Sequence, residues 1–175
     1  MKQILTWAFI GAAILGFLAH KWFYPFGRRT CGTSCVVSAL SVYAADHDGW
    51  FPRGGSDPLQ SLAALCPDYA HPAMLAGLSG APKTLKRKIS NQEILEDKDS
   101  SWVYNEGLRS DDAADLVLIW EKKAGIGTDG RRMPDPNGHV VGLVDGSFRY
   151  VPGVEWANLL RDQASRRERL FLHRE

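Results

Sequence analysis

The chain has 175 residues, 45% of them hydrophobic and 23% charged, with a formal net charge of +1. That is enough apolar material for one packed domain plus an appendage, and it excludes a compositionally disordered polypeptide. The near-neutral balance, with no basic groove interleaved with aromatics, argues against a nucleic-acid partner.

The first element is the uncharged run "ILTWAFIGAAILGFLA", residues 4–19, followed by "HKWFYPF". A membrane span needs about 20 apolar residues, with a lower limit of about 17. Trp22, Phe23 and Tyr24 can continue the run into an interface while Lys21 snorkels. A cleaved signal peptide competes, with Lys2 as its basic start, and a buried helix is the third option. Cleavage wants small residues in an A-x-A-like pattern, and Phe17 occupies the first of those positions; no cysteine sits where a lipoprotein needs one. We therefore expect an uncleaved transmembrane signal anchor over residues 1–21, a linker over 22–32 and a domain over 33–175. Counting Lys and Arg, Lys2 and the amino terminus stand against Lys21, Arg28 and Arg29, which favours a cytoplasmic domain.

Past the linker, "TSCVVSALSVYAADHDGWFP" places Val36, Val37, Leu40, Tyr43 and Ala44 on one helical face, with Thr33 or Ser34 as cap and "DHDG" plus Pro52 as stop. "DPLQSLAALCP" predicts a short helix capped by Asp57, with Pro58 at its first position and Pro67 after its end. Residues 76–100 are mixed and charged, lack a clean period and are expected to form a variable loop with room for one helical turn. "SWVYNEG" and "DLVLIWEK" are apolar, β-branched and aromatic, hence strands. "KAGIGTDGRRMPDPNG" is a turn-rich loop.

In "NGHVVGLVDGSFRYV", residues 137–151, Asp145-Gly146 is a strong two-residue hairpin turn of type I′. That turn pairs Leu143 with Phe148 and Val141 with Tyr150, and puts all four on one apolar face in the core. "GVEWANLLRDQASRRERLFL" then closes the chain as a helix, with Trp156, Leu159, Leu160 and Ala164 at helical spacing.

No catalytic, cofactor-binding or metal-binding residue is expected. His139 and Asp145 tempt as an acid–base pair, but six residues of strand hold them about 20 Å apart within one hairpin. Cys31, Cys35, Cys66 and His71 have the spacing of zinc ligands. If the domain is exported, a disulfide between Cys66 and one of Cys31 and Cys35 is favoured over a metal. Asp46 and Asp48 supply only half of a calcium loop. "GIGTDG" lacks the Lys-Ser/Thr of a P-loop, and no Gly-x-Ser-x-Gly occurs.

Three stretches in order, "SALSVYAADHDGWFP", "SSWVYNEGLRSDDAADLVLIWEK" and "GHVVGLVDGSFRYV", resemble the bacterial pseudopilin-like, type II secretion protein G-like family. The resemblance covers roughly residues 33–65 and 100–152. It implies an α+β fold in which an N-terminal transmembrane helix leads into a pilin-like domain, a helix packed on a small antiparallel sheet. It further implies a structural or assembly protein of type II secretion or type IV pilus-like systems, single-pass in the bacterial inner membrane, with a periplasmic domain. Its partners would be the membrane and other pseudopilin-like or secretion-system proteins. The chain departs from the family at its start: Gly16-Phe17 is preceded by apolar residues, His20-Lys21 follow, and no acidic residue precedes Asp46. The alternative function is therefore a membrane-tethered accessory or binding module that does not polymerise.

Overall fold

A computed structural model describes residues 2–28, 32–78 and 80–174, with only the backbone of residues 2–5 and 8. Helix α1 covers Lys2–Phe23, α2 Thr33–Asp46, α3 Pro58–Leu62, α4 Pro72–Ala76, α5 Pro82–Ser90 and α6 Gly153–Leu172. Strands β1 (Trp102–Tyr104), β2 (Val117–Glu121), β3 (His139–Leu143) and β4 (Phe148–Val151) form one antiparallel sheet in the order β1-β2-β3-β4. The fold is thus α+β, with a four-stranded antiparallel sheet between helices.

Helix α2 lies on one face of that sheet because its apolar stripe, Val36, Val37, Leu40 and Ala44, is fully buried against Ile119, Leu118 and Val144. Its N-cap is Gly32 rather than the expected Thr33 or Ser34; Thr33 is buried instead and no side chain caps the helix. Gly32 packs against the carbonyl of Thr128, which leaves no room for a side chain. The stop signal works as read, with Asp48 at φ 52° and Gly49 at φ 81° turning the chain out of the helix. In α3, Asp57 accepts from the N–H groups of Leu59 and Gln60 at 2.9 Å, with Pro58 next, as the sequence indicates.

Helix α6 covers the opposite face, packing Trp156 and Leu159 onto Val117, Val141, Leu143 and Val151. Its inward face continues through Gln163, not through Ala164, which is exposed. Gln163 Oε1 accepts from the Val117 N–H at 2.8 Å, where the β2–β3 ladder shifts register between Val117 and Ile119.

The hairpin forms one residue out of the expected register. Gly142 pairs with Phe148, Val141 with Arg149 and Val140 with Tyr150. The loop has three residues, Val144, Asp145 and Gly146: the Gly146 N–H donates to the Leu143 carbonyl at 3.1 Å, and Leu143 N–H to Ser147 O at 2.9 Å. Only Gly146 takes positive φ, at 83°, the pattern of a type I turn followed by a left-handed residue. One step of slip swaps faces. Phe148 and Tyr150 are consequently 50% and 45% exposed, while Val144 is buried.

Among the described residues no helix is long and apolar enough to cross a membrane. The uncharged run of α1 is 16 residues, 4–19, about 24 Å at helical rise against a hydrocarbon layer of about 30 Å. His20 and Lys21 occupy its last turn. The extension through Trp22 and Phe23 is not available either, because their carbonyls accept from Arg132 Nε and Arg132 N–H, both at 2.8 Å. The expected transmembrane signal anchor, and with it the single-pass inner-membrane location with a periplasmic domain, is overturned, and nothing supports the assignment to secretion.

Candidate functional site

The residues singled out in the sequence do not converge. His139 opens β3 with its ring stacked on Trp156 at 4.0 Å and Nδ1 3.3 Å from the Glu121 carbonyl. Asp145 sits in the turn at the far end, exposed, its Oδ1 accepting from the Ser147 N–H at 2.9 Å. Burial lowers the pKa of His139, outweighing the opposing pull of the Glu121 carbonyl and Asp135. The unfolded chain therefore binds the proton at higher pH than the folded one, so stability falls as pH drops through about 6.5. The other four histidines are exposed. Replacing His139 by Gln should flatten that acid limb, read as melting temperature between about pH 5 and 7.

Cys66 is free and half-buried, its thiol pushed up to about 11 by burial. Cys35 is in a disulfide, so the pairing expected for Cys66 does not form. Cys31 lies outside the described residues. His71 caps α4, its Nδ1 accepting from the Ala73 N–H at 3.1 Å. Asp46 Oδ2 accepts from the Tyr69 hydroxyl at 3.0 Å. Among the described residues no group of three His, Cys, Asp or Glu side chains is placed to hold a metal.

Two clusters escaped the sequence reading. Around Trp50, the guanidinium carbons of Arg53, Arg109 and Arg174 lie 3.6, 4.8 and 5.3 Å from its ring centroid, beside an open groove of about 690 Å³. Arg109 pairs with Asp111 at 2.8 Å and Arg174 with Asp112, so two of the three charges are already met within the chain. On α6, Arg167 donates from Nη1 to Asn105 Oδ1 at 2.6 Å, while its buried Nε has no partner among the described residues. Desolvation lowers its pKa. Trp156, Leu159, Gln163, Arg167 and Leu170 share helical spacing, but an apolarity pattern cannot count the two polar members.

The most distinctive surface is α1 and its root. Trp7, Phe9, Leu15, Phe17 and Trp22 are 71, 77, 68, 62 and 67% exposed, so among its described side chains α1 buries no apolar stripe on the domain. At its C-terminal end the loop of residues 122–138 grips it through Arg132. Arg131 stands over Phe23 at 5.4 Å and Arg132 over Trp22 at 5.0 Å. Lys21, Lys123, Arg131 and Arg132 are exposed, and none is in an ion pair among the described residues. Cavities of about 510 and 660 Å³ flank this basic, aromatic collar. Compared with known proteins, the chain matches no family model, no curated protein and no solved structure.

Proposed function

We propose that the protein is a non-catalytic, pseudopilin-like assembly subunit, in which α1 is the element that binds neighbouring copies. The carrying observation is the apolar helix left uncovered, with Phe9 and Leu15 respectively 77% and 68% exposed. Contiguous exposed apolar surface of this extent marks an interaction site. An α+β domain with α2 laid on an antiparallel sheet is consistent with the resemblance of the three sequence stretches.

The test uses the full chain carrying Phe9→Glu and Leu15→Glu. Analytical ultracentrifugation should show concentration-dependent self-association of the wild type and its loss in the double variant, since a buried unpaired carboxylate is costly. The fold should be unchanged in circular dichroism, because both side chains lie outside the core. A wild-type chain that remains monomeric throughout would instead favour the accessory module that does not polymerise.

A further inference from the structure

We propose that copies of this chain join end to end, the cations at the root of α1 in one copy meeting the carboxylates at the C-terminal end of α2 in the next. The inference rests on the assembly reading and names the surface and partner it uses.

The two ends are fixed by the fold. Helix α2 runs from Gly32, packed on Thr128 of the loop that grips α1, to Asp46, and its 14 residues span about 21 Å. Beyond Asp46 the chain turns onto Arg109 and Ser110 of the β1–β2 connection, with the Ser110 N–H donating to the Gly49 carbonyl at 2.8 Å. The hairpin turn reaches the same end, where the Asp145 N–H donates to Ala114 O at 3.4 Å.

At the basic end, nearby carboxylates are already used by the backbone. Asp129 Oδ1 accepts from the Arg131 N–H at 2.9 Å. Asp135 accepts from the N–H groups of Asn137 and Gly153 and from the Tyr150 hydroxyl. Lys21, Lys123, Arg131 and Arg132 thus form no ion pair among the described residues, and the rings of Trp22 and Phe23 hold both guanidinium groups at the surface.

At the other end Asp46, Asp48 and Asp145 are exposed, and none of them is in an ion pair among the described residues. Arg109 and Arg174 there are held by Asp111 and Asp112, while Arg53 stacks on Trp50 and forms no ion pair among the described residues. Opposite charges on unlike ends of one chain fit a second copy, and a contact between unlike surfaces repeats instead of closing.

The experiment is a charge exchange in the full chain. Lys123→Glu/Arg131→Glu cancels the positive charge of the basic end by placing two carboxylates there, and Asp46→Lys/Asp48→Lys makes both ends basic. Each variant alone should self-associate at least about tenfold more weakly than wild type in sedimentation, and wild-type association should weaken with added salt. An equimolar mixture of the two should recover it, which general destabilisation would not produce. The neutral pair Lys123→Gln/Arg131→Gln should give a smaller loss of the same sign. Reversals that leave association unchanged, or a mixture that stays dispersed, would overturn the end-to-end contact. If Phe9→Glu still disperses the wild type in that case, the role of α1 survives. A monomeric wild type overturns both.

Discussion

Gly142→Val should cost about 3 kcal/mol or more in denaturant unfolding, enough to leave much of a marginal domain unfolded. Gly142 lies in β3 where α2 crosses the sheet, and a Cβ there would overlap Val37 Cγ2 and lie 3.0 Å from Ile119 Cγ2. Both neighbours are fully buried, so neither can rotate into free space. The backbone is ordinary extended strand, so the penalty is steric: α2 must lift from the sheet or the ladder must bend. Gly142→Ala should show the same effect at smaller size. If Gly142→Val unfolds at the wild-type midpoint, α2 does not rest on β3 at this point.

Phe51→Ala should cost about 3–5 kcal/mol, through lost transfer energy and the cavity left behind. Phe51 is 1% exposed and lies just past the end of α2, its N–H donating to the Leu108 carbonyl at 3.3 Å. The adjoining bridge between Trp50 and Arg109 fixes the segment against the β1–β2 connection, so the ring's site cannot readily collapse. Phe148→Ala provides the contrast. With half its surface already in water, truncation there should cost roughly 1 kcal/mol or less. Equal losses at the two positions would mean that the hairpin adopts the two-residue turn after all.

That contrast shows what the sequence reveals and what it hides. Strands β1 and β2, helix α2 and the closing helix α6 announce themselves through apolar spacing, and Asp57-Pro58 announces α3 by capping chemistry. The hairpin register does not, because Asp145-Gly146 suits both a type I′ turn and the last two positions of a three-residue loop. Val144 was the clue. In the two-residue turn it is an apolar residue on the polar face, whereas the longer loop buries it beneath α2. Helices α4 and α5 begin at Pro72 and Pro82, a legible start, but five and nine residues are too few to establish a period. Composition overstated α1 as a span because it measures apolarity more readily than length. The basic collar was invisible for a different reason. Lys21 and Trp22 are about a hundred positions from Arg131 and Arg132, and only the bonds from Arg132 to the end of α1 bring them together.

The consecutive strand order has an evolutionary consequence. In a meander, successive connections emerge at alternate ends: residues 105–116 and the hairpin turn at one, residues 122–138 at the other. Loops accept substitution and insertion far more readily than the strands they join. Each end of the domain can therefore diverge separately, while Val37, Ile119 and Gly142 stay unchanged between them. A duplicated gene would need to alter only one loop to yield a subunit that accepts a neighbour on one side and refuses it on the other. Under the end-to-end contact proposed above, such a subunit would terminate a chain of copies, and length control would arise from loop sequence without any change of fold.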